Sequence, residues 1–504
     1  MRNLQCDEAK PNCNRCTSTR RKCDGYTDEP IPRTSRQLVP SQIVGTRRRP
    51  SPGIAPRNQI TLPTFDDSQQ LHFFEFFISC TCTVSPTYFG ADFWSHRVLQ
   101  LSLSEPAIRY ALCSLSSLHR LVKEADTGAR PDILTQYETF SLQQYTLAVS
   151  HTQKLLVRSS TGEEEAIIKG LVACILFTCY ECLLRNYTTA YMHLQNGLRI
   201  LARNHTTIHD GKIQQRRAAI PKDIIRALHR LDLQAMSLAE DSTPYPYNKI
   251  ADKLGMSDLT ISTQFSSLDD AMDHLITMFR WIFHIAGFSE PQPIPQDNLD
   301  TASSTLVEWK AKAQPFLDSE PPPSQSSHKN TILWLEMYYT LISIMIVTGV
   351  YGREASHDQH IQQYSHIVSI GESLLSIERS KLREHFFSFE IGIILPLYFT
   401  GAKCRDPQIR RQAISLLKHM KHQEGTWESS GAAQVAEFVV GVEEEGVGCC
   451  TNAQQIPENA RVQFVTVKID AEKREIDLSC AVCKDAKLGV WDMREGKKIS
   501  FWLN

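Results

Sequence analysis

"SEPAIRYALCSLSSLHRLV" (residues 104–122) shows the helical pattern that recurs through most of this chain. Four of its apolar residues share one face at helical spacing: Ile108, Leu112, Leu115 and Val122. Ser104 is a residue type that caps helix N-termini, and Pro106 is tolerated in a first helical turn. The stretch therefore predicts an amphipathic helix whose apolar face packs into a protein core.

Similar apolar stripes recur along most of the chain. They occupy residues 164–202, 223–240, 268–287, 330–350, 362–377, 384–401 and 406–421. Glycine is scarce between residues 65 and 438, and runs that alternate apolar and polar residues are nearly absent there. The sequence predicts a mainly α protein with a large, all-helical domain over residues 65–450.

The pattern changes near the C-terminus. "RVQFVTVKID" (461–470) and "REIDLSCAV" (474–482) alternate apolar with polar residues around "AEK" (471–473). Alternation with a period of two is typical of half-buried strands. We expect a C-terminal segment, residues 451–504, that contains a β-hairpin.

Two windows are apolar enough to raise the question of a membrane. Residues 166–184 contain Lys169 and Glu181, and residues 331–350 contain Glu336. A charge at membrane depth is costly, so both windows predict buried core helices and no membrane partner. No secretory signal pattern opens the sequence, and its 15 cysteines then indicate reduced thiols in the nucleus or cytosol.

Charge is distributed unevenly along the chain. Residues 1–64 hold 12 basic and five acidic residues, whereas the remainder holds 42 basic and 51 acidic ones. The N-terminal part thus carries seven excess positive charges, which favours a polyanionic partner. Within it, residues 27–64 contain seven prolines and few apolar residues, so we predict a disordered linker there.

The first 26 residues, "MRNLQCDEAKPNCNRCTSTRRKCDGY", contain cysteines in the spacing C-x6-C-x2-C-x6-C. These are Cys6, Cys13, Cys16 and Cys23. Zinc prefers four soft ligands in a tetrahedron, and a Cys-x2-Cys pair supplies two of them from one tight turn. So short a segment, with almost no apolar side chains, is expected to fold only around a metal. The pattern predicts a zinc site.

The same segment resembles the second part of a fungal binuclear zinc cluster, the Zn2Cys6 DNA-binding domain. By this resemblance, the four cysteines are the third to sixth ligands of a domain covering residues 1–26. The first Cys-x2-Cys of the family pattern would lie just ahead of Met1. We expect an N-terminally truncated sequence, and the alternative is genuine loss of part of the cluster.

The resemblance also implies which residues meet DNA. In the family, the first metal-binding helix enters the major groove and reads a CGG-type triplet. Arg2 and Asn3 fall at those positions, and Asn3 departs from the basic residue that is usual there in the family. Arg15 and Lys22 match positions that meet phosphates, which position a domain without specifying sequence.

Segments of the helical region resemble the regulatory domain of the same regulators. They are residues 96–120, 193–201, 228–236 and 396–429. The resemblance implies a nuclear, zinc-dependent, sequence-specific DNA-binding regulator of RNA polymerase II genes, with double-stranded DNA and the transcription machinery as partners. The pathway expected from the family is specialised metabolism or nutrient use. The alternative is a regulatory or interaction protein that keeps only the helical domain.

Other functions find little support in the sequence. No phosphate-binding Gly loop, nucleophile elbow or H-E-x-x-H motif occurs, so we expect no enzymatic activity. No heptad run follows the linker, so a homodimer would have to form through the helical domain.

Several chemically reactive residue types are expected to be structural. The cysteines of "CYEC" (179–182) and "CAVC" (480–483) have apolar neighbours and are predicted to be core residues. Three histidines near apolar helical faces, His119, His193 and His229, are predicted to be core or boundary residues with satisfied hydrogen bonds. Asp232 interrupts an apolar stripe and is predicted to be a buried carboxylate that holds an arginine.

Overall fold

The computed structural model describes most of the chain from Phe65 onward. The described residues are 65, 67–82, 92–159, 164–204, 208–209, 212–213, 219–238, 259, 261–286, 294–319, 326–350, 352–377, 386–445, 447–448, 450–470, 475–485 and 490–500. They belong to one compact unit, Leu62–Asn504.

Fourteen α-helices lie in the described residues. They are α1 (Ser68–Phe76), α2 (Val98–Ser104), α3 (Pro106–Asp126), α4 (Pro131–Ser159), α5 (Glu164–Leu183), α6 (Tyr187–Asn204), α7 (Lys222–Ser237), α8 (Leu268–Ala286), α9 (Gln296–Leu317), α10 (Ser326–Thr348), α11 (Ile361–Ile377), α12 (Ile394–Lys403), α13 (Pro407–His419) and α14 (Ser429–Glu444). The sheets are small, so the predicted mainly α fold is confirmed.

The strands form three separate sheets. Strands β1 (Ile208–His209) and β2 (Lys212–Ile213) make a short antiparallel pair. In the second sheet, β3 (Phe386–Ser388) runs parallel to β4 (His422–Glu424), which pairs antiparallel with β5 (Trp427–Glu428). The third is an antiparallel meander of β6 (Val462–Asp470), β7 (Glu475–Asp485) and β8 (Val490–Ser500).

Helix α3 is central to the core, as its apolar stripe predicts. Ile108, Leu112 and Leu115 are fully buried, and α3 packs against both α4 and α5. Its small serines let neighbouring backbones come close, and their hydroxyls are satisfied by backbone carbonyls. Ser114 donates to Ser141 O (2.9 Å) and Ser116 to Phe73 O (2.6 Å). A buried hydroxyl with a partner avoids the desolvation cost of an unpaired one.

The two most apolar helical windows lie inside the protein. Glu164–Leu183 and Lys329–Thr348 are long and apolar enough to cross a membrane, but 89% and 67% of these windows are buried against the rest of the domain. In α5 the charge of Lys169 is paired with Glu105 (3.2 Å) and Glu165 (2.8 Å). Both windows are core helices, as predicted.

Ser104 does not cap α3, contrary to the sequence-based expectation. Residues 98–104 already form α2, and the Ser104 hydroxyl donates back to Leu101 O (3.3 Å). The extended residue ahead of α3 is Glu105, whose side chain makes no capping hydrogen bond, and Pro106 opens the first turn. The prediction was wrong because the apolar residues of α2 lead directly into those of α3. The sequence therefore did not indicate that one helix ends at Ser104 and the next begins at Pro106.

The helix predicted over residues 384–401 is also only partly correct. Residues Phe386–Ser388 form β3, and the helix begins at Ile394. Ser388 Oγ accepts a hydrogen bond from Glu390 N (3.0 Å), which stabilises a turn after the strand, and Phe389 stacks on Trp94. Pairing with β4, which lies far along the chain, overrides the local helical pattern.

The expected C-terminal hairpin is present as β6 and β7, and β8 extends it to three strands. This sheet packs against α14 through a second, smaller apolar core. That core comprises Val435, Val439, Val462, Val465, Val467, Ile476, Leu478, Cys480 and Val482. Strand β8 was not predicted because charged residues dominate its sequence, "VWDMREGKKIS".

Candidate functional site

The residues predicted to bind zinc and DNA lie outside the described part of the chain. They are Cys6, Cys13, Cys16, Cys23, Arg2, Asn3, Arg15 and Lys22. Their roles, and the linker over residues 27–64, therefore stay predictions.

The described cysteines are buried, except Cys80, which is half-buried. Cys179 and Cys182 are fully buried in α5, as predicted, and burial raises the pKa of both thiols. Burial likewise raises the pKa of Cys480, in β7, to about 11. In the residues that the structure describes, no three His, Cys, Asp or Glu side chains are arranged to hold a metal ion.

Two of the three histidines predicted to be core or boundary residues, the buried His119 and the half-buried His193, are held neutral by desolvation. His119 is buried in α3, where its Nδ1 is 3.0 Å from Thr81 Oγ1, and burial lowers its pKa to about 4. His193 lies in α6 with its Nε2 3.1 Å from the Tyr145 hydroxyl, and burial lowers its pKa to about 4 as well. Both are structural groups at neutral pH, and His229 instead lines a pocket described below.

A chain of buried ion pairs joins α7, α8 and the segment after β3. Arg280 Nε donates to Asp232 Oδ2 (2.8 Å), which confirms the prediction that Asp232 holds an arginine. Arg230 Nη1 donates to Glu390 Oε2 (2.7 Å), and Trp94 Nε1 donates to Glu390 Oε1 (3.1 Å). Buried charges are tolerated when they are paired in this way.

A pocket of about 200 Å³ opens beside these ion pairs, between the N-terminal halves of α7 and α8. We call it the α7–α8 pocket. It is lined by Lys222, Ile225, Arg226, His229, Arg230, Ser262, Asp270, Asp273, His274 and Ile276. The two helices are parallel, since Arg226 meets Asp270 and Arg280, further along, meets Asp232. Both N-termini therefore lie toward the same end of the pocket.

The pocket wall contains an internal charge network. Arg226 Nη2 is 2.7 Å from Asp270 Oδ1, and its Nε donates to Asp273. Arg230 Nη2 is 3.6 Å from Asp273 Oδ1. Burial raises the pKa of Asp273 to about 6, against the opposing effect of both arginines. For Asp270 burial is outweighed, and hydrogen bonds from Ser266 together with Arg226 lower the pKa.

A second buried charge cluster attaches the C-terminal sheet to the helices. Glu443 of α14 is fully buried and accepts hydrogen bonds from Arg405 Nη2 (2.6 Å), Arg410 Nη2 (2.9 Å) and the backbone N–H of Val462 (2.9 Å). Although burial opposes ionisation, the two arginines lower the pKa of Glu443. Arg405 Nη1 is also 2.7 Å from Glu354 Oε2.

A smaller, mostly apolar cavity of about 100 Å³ lies where β6 and β7 meet the helical domain. Tyr398, Trp427 and Val465 are among its walls. The Trp427 indole N–H is already bonded to Ser237 Oγ (2.9 Å). This cavity presents fewer charged groups than the α7–α8 pocket, which is therefore the better candidate for recognition of a polar ligand.

Sequence analysis missed the α7–α8 pocket, although two signals for it are visible in the sequence. Lys222, Arg226 and Arg230 recur at a spacing of four, which aligns them on one helical face. Asp270 and Asp273 open the next long helix at a spacing of three. What the sequence alone could not provide is that α7 and α8 are neighbours and parallel.

Comparison with known proteins bears on the role of this domain. Residues 71–439 match the family described as "Fungal specific transcription factor domain". The aspercryptin biosynthesis cluster-specific transcription regulator atnN of Emericella nidulans is 22% identical, with 92% of this chain and 90% of that protein aligned. The transcription regulator lscL of Purpureocillium lilacinum is 30% identical over 40% of this chain and 47% of its own length.

No solved structure matches the chain. The family match runs from within α1 to within α14, so it includes the α7–α8 pocket and the ion pairs beside it, whereas Glu443 lies just beyond its end. The relatives are named as transcription regulators, which supports a role in transcription regulation and not in catalysis. Because the match covers well over half of its length, the chain belongs to the fungal specific transcription factor domain family.

Proposed function

We propose that this protein is a zinc-dependent, sequence-specific DNA-binding regulator of RNA polymerase II genes that acts in the nucleus. One observation carries the proposal: a cysteine pattern of the binuclear zinc cluster type precedes a domain of the fungal transcription factor family. The excess of positive charge in residues 1–64 supports a polyanionic partner.

The donor set suits zinc. Cys6, Cys13, Cys16 and Cys23 would supply thiolates, the soft ligands that structural zinc sites use. Zinc would act by folding a segment that has too few apolar residues to fold alone, and so would hold the basic residues in place. In this proposal Arg2 and Asn3 face base edges of CGG-type sites, whereas Arg15 and Lys22 contact phosphates.

The biological role that we propose is control of a specialised-metabolite gene cluster. The support is the printed name of atnN, a regulator specific for one biosynthesis cluster, which aligns over most of this chain. The helical domain would contact the transcription machinery and would form any homodimer. Deletion of the gene, followed by sequencing of transcripts, is expected to change expression of one set of neighbouring biosynthetic genes and few others.

A titration against CGG-containing and scrambled duplexes tests DNA binding. We expect Arg15→Ala to weaken binding to all duplexes alike and to reduce the salt slope by about one. We expect Asn3→Lys to change the ranking of triplets, because a long cation reaches guanine acceptors. Arg199→Ala, an exposed position of α6, is the control that should change neither quantity.

The titration is run with residues 1–504 and with the same chain carrying any upstream residues that the 5′ end of the transcript encodes. Zinc content is measured on both, with Cys13→Ser as the variant that should lose metal. Four of the six family cysteines stand in the sequence, which keeps a second candidate function open. If neither chain binds any duplex while the gene still controls transcription, the protein is a regulator that acts without contacting DNA.

A further inference from the structure

The walls of the α7–α8 pocket are held in place by ion pairs, and the function proposed above does not use this pocket. Its arginines are fixed by ion pairs to Asp270, Asp273 and Glu390, so the pocket keeps its shape without a ligand. Preformed concave sites with a few convergent polar groups are the usual form of small-molecule sites.

The lining favours a single negative charge. Among the described lining residues, Lys222, Arg226 and Arg230 are cations, and Asp270 and Asp273 are carboxylates. The two arginines are already paired with these aspartates and with Glu390, which leaves Lys222 as the lining cation that forms no ion pair with a described residue. Asp269 also interacts with both arginines, and burial raises its pKa. Protonation of Asp273 near pH 6 would remove one negative charge from the pocket wall.

The position of Lys222 adds to this preference. It stands at the first turn of α7, it is exposed, and it forms no ion pair with a described residue. The pocket also lies toward the N-termini of two parallel helices, where the partial positive charges of both helix dipoles act. A carboxylate at this end would meet Lys222 without displacing Arg226 from its aspartates.

The size of the pocket restricts the ligand further. A cavity of about 150 Å³ is enough to hold benzene, and drug-sized ligands use about 300 Å³ or more. The 200 Å³ here lies between these sizes. Ile225 and Ile276 provide an apolar wall beside the charged groups, so the ligand should carry a small non-polar body.

We propose that the α7–α8 pocket binds a small organic monocarboxylate with an apolar body about as large as one aromatic ring. Lys222, the one described lining cation without an ion pair, matches a monocarboxylate better than a doubly charged phosphate ester. Arg230 connects the pocket to Glu390, which also accepts a hydrogen bond from Trp94. A ligand bound in the pocket would therefore act on the segment after β3 through Arg230. The proposal concerns binding alone, and its test does not depend on whether the protein binds DNA.

The test measures binding of matched acid and amide pairs to the full chain by calorimetry and ligand-observed NMR. The probes are benzoate with benzamide, cyclohexanecarboxylate with its amide, and 3-methylbutanoate with its amide, together with inorganic phosphate. We expect at least one acid to bind about tenfold or more tightly than its amide, the effect of about one charge-assisted contact. Phosphate should bind more weakly than that acid.

Variants locate the site. Lys222→Gln should weaken the acid about threefold to tenfold and leave the amide unchanged. Ser262→Phe, at an exposed position of the rim, should fill the pocket and remove binding of every probe. Lys154→Gln, an exposed lysine of α4, is the matched control that should bind like the wild type.

Both pocket positions are exposed, so neither variant should disturb folding, which circular dichroism would verify. The proposal is overturned if no acid binds better than its amide. It is also overturned if Ser262→Phe, folded like the wild type, binds the acid as the wild type does, or if phosphate binds more tightly than every acid.

Discussion

At the scale of single residues, His119 makes a pH-dependent contribution to stability. Its pKa is about 4 in the folded protein and 6.5 when exposed, because burial disfavours the imidazolium. Between these values the unfolded chain binds more protons than the folded one, so the free energy of unfolding falls as pH drops from 6.5 to 4. The full loss from this group is about 3 kcal/mol.

We therefore expect His119→Asn to flatten the dependence of stability on pH between 6.5 and 4. Asparagine can still bond to Thr81, but it does not titrate. Its smaller volume lowers stability at pH 7 by about 1–3 kcal/mol, so the slope and not the absolute value is the measurement. Urea unfolding at several pH values gives that slope. His366→Asn, at an exposed position, should leave the slope as it is, and equal slopes for wild type and His119→Asn would contradict the assignment.

Glu443 is the residue on which the C-terminal attachment depends most. Its replacement by glutamine leaves Arg405 and Arg410 buried with less negative charge around them. Removal of one partner from a buried ion pair costs about 3–5 kcal/mol. Glu437, on the same helix, is 46% exposed and pairs with Lys418 at the surface, where such pairs contribute about 0–1 kcal/mol.

The comparison of Glu443→Gln with Glu437→Gln thus holds the helix and the chemical change constant. We expect the first to lower the free energy of unfolding by about 3–5 kcal/mol and the second by less than about 1 kcal/mol. Guanidinium titration measures both. Similar losses in the two variants would mean that the buried cluster is not a specific stabilising contact.

At the scale of elements, local pattern predicted most helices but not their contacts. The one-sided stripe of α3 identifies that helix from sequence because burial of one face dictates the spacing, and the long apolar run of α5 identifies a helix that is buried nearly all round. Strand β3 was not predicted, because its partner β4 lies more than thirty residues away along the chain and local sequence patterns do not report such pairing. Arg230 and Glu390 are 160 residues apart, so the local sequence around either residue could not indicate that the two form an ion pair.

The turn between β4 and β5 offers a test of close packing between elements. Gly425 has φ +56°, and a Cβ there would lie 1.8 Å from Gln234 Oε1 of α7. Gly128, after α3, also has a positive φ (+76°) but has open space around it. Alanine at Gly128 should cost about 1–2 kcal/mol from backbone strain alone, and alanine at Gly425 about 1–3 kcal/mol more because of the overlap.

A double-mutant cycle separates strain from overlap. In a Gln234→Ala background, Gly425→Ala should cost no more than Gly128→Ala, since the overlapping oxygen is gone. Thermal unfolding of the four chains of the cycle, and of Gly128→Ala, provides the energies. A cost for Gly425→Ala that does not change in the Gln234→Ala background would place its origin elsewhere in the turn.

At the scale of the whole molecule, the helical domain and the C-terminal sheet share their stability. Val435 and Val439 of α14 are covered by residues of β6 and β7, and the Val462 N–H helps to satisfy Glu443. Leu62–Asn504 is a compact unit, and the members of its two apolar cores that the structure describes lie between Phe65 and Val482. Removal of residues from the two ends of the chain should therefore have different consequences.

We expect a chain of residues 62–504 to fold in the presence of a metal chelator, with the helical circular dichroism and cooperative unfolding of a native domain. A chain of residues 62–450 should lack cooperative unfolding, because it exposes the valines of α14 and leaves the Glu443 cluster without its backbone donor. Loss of several buried apolar side chains at about 1.5–3 kcal/mol each exceeds the about 5–15 kcal/mol that a typical domain has in reserve. Differential scanning calorimetry distinguishes the two chains. A sharp transition for residues 62–450, at the temperature seen for residues 62–504, would show that the sheet does not stabilise the helical domain. Its attachment through Glu443 would then have a role other than stability.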